Sequence, residues 1–524
     1  IKKMNHFNTR ASYDKEKMLS WYNAIQKVAE RSRLGIPITI ASDPRHGVPE
    51  TFGASIYTPY FSKWPSALGM GATRDSLLVY EHAKIVREEY KAIGIRVALG
   101  PMADTATEPR WTRINGTFGE DAELNSKLIT AYIKGIQGDS IDINSVAAMV
   151  KHFPGSGPLD KGKDSHFPPG IQSYKGNNFE HHLKPFEAAF KAGVSSVMPF
   201  YSIPKGITSE DIGAGYNKDI ITGLLRERYN FKGIICTDWA IISDLEPLGI
   251  KFKPASAHGV EKLDTDERIV KIIAAGVDMI GGESLSLELA ELIKSGKIDE
   301  SRIDESLRRI MDQKFRLGLF DSPYLNSEAL NSLNNPESIS KGIEAQKKSL
   351  VLLKNENNFL PLQEQTKVYL HGFDTNPLSA LEVTSLEKAE VIIAKVKTPN
   401  EGVESEYIME KLMGGGTLDF SNEVIEELLP LFNSKPTILV MNLQRSAVLT
   451  KIEGLPKAII ADFDVDEKII LELIQGNFSP TGKLPIELPS SVKAVEEQLE
   501  DLPFDSKNPL YEFGHGLSYR NKKD

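Results

Sequence analysis

Between residues 36 and 282, short apolar runs alternate with stretches of helical spacing. The runs are IPITIAS, RVALGPMAD, VAAMVKHF, SSVMPFYS, GIICTDWA and AAGVDMIGG. Between them lie patterns such as SLLVYEHAKIVREEYKAI, with apolar residues three and four apart. Continuous apolar strands separated by amphipathic helices predict a parallel sheet covered on both faces. The length suits a (β/α)8 barrel or one lacking a strand. Ile36–Ser42 reads as the first clear strand, so the usual opening strand and helix of such a barrel are not expected before it.

SRIDESLRRIMDQKFRLGLF (301–320) reads as a closing helix, and the stretch 323–340 as a linker rich in Asn, Ser and Pro. From 341 a second α/β pattern begins, with SLVLLKN, KVYLHGF, AEVIIAKVKTP, TILVMNL and KAIIADF. The expected architecture is α/β throughout: a barrel over 1–322, then an α/β sandwich with a mostly parallel sheet over 341–524. The end, NPLYEFGHGLSYRNKKD, reads as a tail laid over the surface.

Most runs of the first half end in polar chemistry: Asp43, Asp104, Lys151 with His152, Tyr201, and Asp238. In a barrel the carboxyl ends of all strands open on one rim, so residues distant in sequence share a pocket.

Charge and cysteine content narrow the chemistry. A net charge of −10 over 524 residues disfavours a nucleic-acid binder and an anionic membrane surface. The single cysteine, Cys236, allows neither an internal disulfide nor a cysteine-based metal site. No H-E-x-x-H occurs, and adjacent His181 and His182 diverge, so no metal or other cofactor is expected. GMGATR is not a phosphate cradle, and no G-x-S-x-G elbow is present. No apolar run reaches the roughly 18 residues of a membrane span. The opening IKKMNHFNTR has neither an initiator Met at position 1 nor an apolar signal core. The expected location is periplasmic or secreted, with the cytoplasm left open.

What remains is a rim of carboxylates, cations and aromatics. Such a set suits sugars, whose hydroxyls take charge-assisted hydrogen bonds and whose glycosidic bond is broken by two flanking carboxyl groups.

The motifs SDPRHG (42–47), EPRWTRINGTFGED (108–121), KHFPGSGP (151–158), ICTDWA (235–240) and AGVDMIGG (275–282) follow one another in a familiar order. With LVLLKNENNFLPL (350–362), FSPTGKLPIELP (478–489) and YEFGHGLSY (511–519), the chain resembles glycoside hydrolase family 3 over nearly its whole length. The resemblance implies an exo-acting retaining β-glucosidase acting on an oligosaccharide or β-glucoside. Asp238 matches the family nucleophile, although an Asp there could instead cap the following helix. Asp43, Arg110, Lys151, His152 and Tyr201 match substrate-binding residues, and Trp239 matches part of the sugar platform. Arg110 could also be a structural partner of Glu108, Glu120 or Asp121. Thr112 stands where the family motif PRWGR has Gly, which bears on the turn before Arg113.

The acid/base group has two candidate sources. In two-domain β-glucosidases of the family it is a Glu from the second domain. The segment KTPNEGVESEYIMEKLMGGGTLDF offers Glu401 first, then Glu404 and Glu406. In the family's N-acetylglucosaminidases an Asp-x-His pair does the work, and Asp164 with His166 has that spacing. A glutamate in this role must stand about 5–5.5 Å from Asp238 for retention. The alternatives are thus a β-N-acetylhexosaminidase or phosphorylase, a β-xylosidase, or a catalytically silent sugar-binding protein. A monomer and a homodimer both stay open.

Overall fold

A computed structural model describes residues 4–49, 55–374 and 381–519 of the 524. The first half is built on a six-stranded parallel sheet whose strands follow chain order. They are His6–Asn8, Thr39–Ser42, Ile95–Ala98, Ala147–Phe153, Ser196–Pro199 and Ile234–Ile235. Each pairs with the next in parallel, for example Ile40 with Ile95, Val97 with Ala147 and Met149 with Ser196. An isolated parallel bridge, Cys236 to Met279, carries the curl one step further. The sheet is therefore a curled half-barrel, and pairing into a closed eight-stranded ring does not occur among the described residues. Ile36–Ser42 is not the first strand. His6–Asn8 precedes it, pairing His6 with Thr39, and the helix Lys15–Glu30 follows. Three residues are too short for a periodic apolar signal, and only the neighbouring strand defines them.

The two faces of the sheet explain where its polar ends point. Ala147 and Met149 lie on the concave face with Val97, Leu99, Met198 and Cys236. Ala148 and Val150 lie on the other face, among the helices. Strand side chains alternate, so Lys151 continues the inner series 147, 149, 151. Asp43 likewise follows Ala41, and Asp238 follows Cys236, each two residues on. The inner apolar layer thus gives way at the rim to a ring of charge.

The predicted closing helix is Glu300–Arg316. The stretch read as a linker holds a short 3-10 turn, Ser327–Ser332, and the start of a helix, Pro336–Ser349, that begins at a Pro and an Asn cap. Leu330 and Leu333 are buried in the same core as the first sheet.

The second half carries a six-stranded sheet. Lys367–His371, Glu382–Val383, Val391–Lys397, Thr437–Asn442 and Ala458–Asp462 are parallel, and Val351–Asn355 closes one edge antiparallel. The C-terminal segment is knitted in rather than laid on: Leu517 bridges Leu352, and Tyr511 bridges Leu488. Residues 520–524 of that segment lie outside the described residues. Leu68, Ala72, Trp111 and Leu159 share one apolar core with Val351, Leu353, Met441, Phe463 and Ile486. That shared core presses the second half against the loops that carry the rim residues. No helix among the described residues is long and apolar enough to cross a membrane.

Candidate active site

The strand Ala147–Phe153 supplies the centre of the site. Lys151 Nζ donates to Asp43 Oδ1 at 3.0 Å, and Asn8 Nδ2 donates to Asp43 Oδ2 at 3.3 Å. The Lys151–His152 peptide is cis, as is Phe153–Pro154. His152 Nδ1 meets Asp104 Oδ2 at 2.9 Å, and the backbone N–H of Ser156 donates to Asp104 Oδ1 at 2.7 Å. The other nitrogen, His152 Nε2, stands 3.7 Å from Asp238 Oδ2.

Asp238 is buried at the turn after Ile234–Ile235. Its Oδ1 accepts the N–H of Trp239 at 2.7 Å. Burial alone would raise this carboxyl. The charges of His152, His166, Lys151 and Arg113 outweigh burial and hold it below the usual aspartate value. Burial keeps both imidazoles below their ordinary values.

Tyr201 and Trp239 flank the carboxylate. Tyr201 OH donates to the Trp239 carbonyl at 2.6 Å, and burial with the Asp238 charge keeps the phenol protonated. The Trp239 indole is half-buried, and its inner face rests on two glycines. A Cβ at Gly281 would come within 2.8 Å of the indole, and one at Gly282 within 2.5 Å. Only glycine lets the backbone approach the ring so closely.

Arg110 and Arg113 part ways. Arg110 Nε and Nη2 grip the two oxygens of buried Glu108, each at 2.7 Å. Arg113 Nη2 lies 3.4 Å from His152 Nε2, and its guanidinium lies over the Phe200 ring. Arg113 Nη1 is buried with no hydrogen-bond partner among the described residues. The turn carrying Thr112 therefore delivers Arg113, not Arg110, to His152 and the Asp238 side of the rim. The hint was present in the sequence, as two arginines three residues apart, but spacing in a turn does not tell which one faces inward.

Asp164 and His166 form a close pair, Oδ1 to Nδ1 at 2.6 Å, and Trp111 Nε1 donates to Asp164 Oδ2 at 2.9 Å. Burial would raise Asp164, but the His166 charge and hydrogen bond hold it far below the usual carboxylate range. The His166 ring meets Tyr201 edge-on at 4.8 Å.

The second-domain loop also reaches the first half. Ile408 N–H donates to Lys251 O and Met409 N–H to Phe252 O, both at 3.1 Å. Glu406 pairs with Lys251 at 2.6 Å on the surface, and Glu404 is exposed. Glu401 is held by a backbone pair with Gly415, and its carboxylate lies against Gly416, where a Cβ would fall 2.2 Å from Oε2. Glu401 is exposed in this structure.

Lys253, unnoticed in the sequence, is buried beneath the Asp238 turn. Its Nζ donates to Trp239 O, Ala240 O and Ser256 Oγ and lies 4.4 Å from the Tyr201 ring centre. Burial pulls its amine down to about 8. No group of His, Cys, Asp and Glu side chains among the described residues is arranged to hold a metal ion.

The profile described as glycosyl hydrolase family 3 N terminal domain matches residues 6–312, and that of the C-terminal domain matches 374–519. Beta-glucosidase C of Emericella nidulans is 42% identical over 530 residues, covering 99% of this chain and 85% of that protein. The periplasmic beta-glucosidase/beta-xylosidase of Dickeya chrysanthemi is 39% identical, covering 98% of this chain and 82% of its own length. The crystal structure of a beta-glucosidase from Listeria innocua in complex with glucose shares the fold. Its TM-score is 0.80 at 23% identity, over 99% of this chain and 76% of that one. By its domain profiles and its full-length relatives, the chain belongs to glycosyl hydrolase family 3.

Proposed function

We propose that the protein is an exo-acting retaining β-glucosidase that removes terminal non-reducing β-D-glucosyl residues. The observation that carries this reading is the meeting of Asp43, Lys151, His152, Arg113 and Asp238 at one rim. The fuller architecture behind it is a (β/α)8-like catalytic barrel over 1–322 and an α/β sandwich over 341–524, joined through 323–340.

In this reading Asp43 and Lys151 bind remote hydroxyls of the terminal sugar, and His152 and Arg113 bind hydroxyls nearer the reacting carbon. The unpartnered Nη1 of Arg113 is a buried donor that a sugar oxygen would satisfy. Arg110, bound to Glu108, supports the turn. Tyr201 orients the Trp239 carbonyl, and Trp239 stacks on the sugar ring. A carboxylate oxygen of Asp238 attacks the anomeric carbon as the bond to the leaving oxygen breaks. That oxygen takes a proton from the Glu401 carboxyl, leaving a glycosyl ester on Asp238. Water then attacks the same carbon, gives its proton to Glu401, and releases Asp238 and glucose. Glu404 and Glu406 are the next choices for the acid, although Glu406 is engaged with Lys251.

A second reading draws on the 2.6 Å Asp164–His166 pair, which could serve as acid/base in a β-N-acetylhexosaminidase or phosphorylase. Glu401→Ala and His166→Ala separate the two on a substrate with a poor leaving group. A Dickeya relative named for both glucosidase and xylosidase activity makes xylosides the further substrate class to test. The proposed location is the periplasm or the exterior of the cell.

Mass spectrometry of the protein treated with a 2-fluoro β-glucoside tests the main reading. A glucosyl adduct on the peptide bearing Asp238 is expected. Label on another carboxylate, or none with an otherwise folded protein, would overturn it.

A further inference from the structure

Arg445 follows the strand Thr437–Asn442 and is buried. Every hydrogen bond its guanidinium makes among the described residues goes to a backbone carbonyl. Nη1 donates to Arg110 O at 2.7 Å. Nη2 donates to Pro399 O at 2.7 Å, Gly415 O at 2.6 Å and Thr417 O at 3.2 Å, and Nε donates to Pro399 O at 3.2 Å. One planar fork therefore ties three stretches of chain. They are the first-domain turn that carries Arg110 and Arg113, and the outgoing and returning arms of the loop that carries Glu401.

A cation buried without a hydrogen-bonded carboxylate is costly to keep. Burial lowers the guanidinium to about 10, with the charges of Glu401 and Glu108 opposing that shift. The group thus stays charged at neutral pH. Lysine could not replace it, because an ammonium has three donors around one nitrogen rather than five spread over a plane. Besides this fork, Gly415 N–H donates to Asn400 Oδ1 at 2.8 Å and Thr398 Oγ1 to Asn442 O at 2.9 Å, while the tip is tied to Lys251 and Phe252. Glu401 and Gly415 exchange two backbone hydrogen bonds, at 3.1 and 3.0 Å, and the intervening residues are mostly exposed or half-buried.

We propose that Arg445 is a positioning residue that clasps the base of the 399–417 loop to the first-domain turn, and so sets where the loop's acid/base carboxyl stands over Asp238. This rests on the reading that the loop supplies that carboxyl. The Arg445 side chain meets neither substrate nor the reacting atoms in this scheme. It acts by fixing both arms of the loop to the turn that also delivers Arg113.

The test compares kcat/KM on 2,4-dinitrophenyl β-glucoside, which needs no acid to leave, with phenyl β-glucoside, which does. Arg445→Met should stay within about threefold of wild type on the first and lose roughly tenfold or more on the second, as expected for a displaced acid. Glu401→Ala is run beside it. If Glu401→Ala loses equally on both substrates, the assignment of the acid falls. If Glu401→Ala discriminates between them and Arg445→Met does not, the clasp falls. Should Arg445→Met fail to fold, Arg445→Lys with hydrogen exchange decides. Faster exchange at the Glu401 and Gly415 amides, with Thr437–Asn442 unchanged, supports the clasp. Unchanged exchange at those amides overturns it.

Discussion

The His152 ring is fixed between two carboxylates: Asp104 takes Nδ1 at 2.9 Å, and Nε2 faces Asp238 at 3.7 Å. Asp104 makes no contact with the nucleophile candidate itself, yet it decides which way the imidazole points. Asp104→Asn should keep the fold and lower kcat/KM by about a hundredfold, because an amide can present its NH2 to Nδ1 and turn the ring. Steady-state kinetics with a circular-dichroism check on folding would measure this. Activity close to wild type would show that the ring is held by other means.

The two arginines of the 108–113 turn should fail differently. Arg110→Met strands the buried Glu108 carboxylate and should cost about 3 kcal/mol of stability. Arg113→Met should leave stability nearly intact and lower kcat/KM roughly 10- to 100-fold, the worth of charge-assisted hydrogen bonds to substrate. Denaturant midpoints and kcat/KM for both variants would reveal an exchange of these roles.

The charge of Lys151 is one of those holding Asp238 below the ordinary aspartate value. Removing that cation weakens the hold on the anion, so the Asp238 carboxyl rises. Lys151→Met should therefore move the acid limb of the kcat/KM profile to higher pH. Its loss of binding lowers the whole profile, but the position of the limb reports the charge effect. A limb that stays in place would mean that Lys151 does not act on the nucleophile.

Gly282 has φ of +68° and sits against the Trp239 indole. Gly282→Ala must push the ring aside as well as strain the backbone. The expected result is a rise in KM of roughly 3- to 10-fold, the worth of one aromatic stack, with kcat changed less. An unchanged KM would remove Trp239 from the sugar platform.

The apolar–polar patterning carried most of the architecture. Strands read from their apolar runs, including Thr39–Ser42, Ala147–Phe153, Thr437–Asn442 and Ala458–Asp462, are strands in the structure. The positions of Asp43, Lys151 and Asp238 were legible for the same reason. Each lies two residues beyond an inward-facing apolar position, and side-chain alternation along a strand is a local rule. His6–Asn8 was not legible, because its identity as a strand comes from Thr39 and its neighbours rather than from its own residues. The choice between Arg110 and Arg113 was out of reach too. In a turn, side-chain direction follows from backbone geometry and from which carboxylate is near. Lys253 and Arg445 lay furthest from any sequence rule, since most of their partners are carbonyls that every residue possesses. The sequence alone determined which side chains stand at strand ends. Tertiary structure decided what they meet, because a carbonyl at Arg110 and a guanidinium 335 positions away become neighbours only when the second sheet and the first half's loops bury a common core.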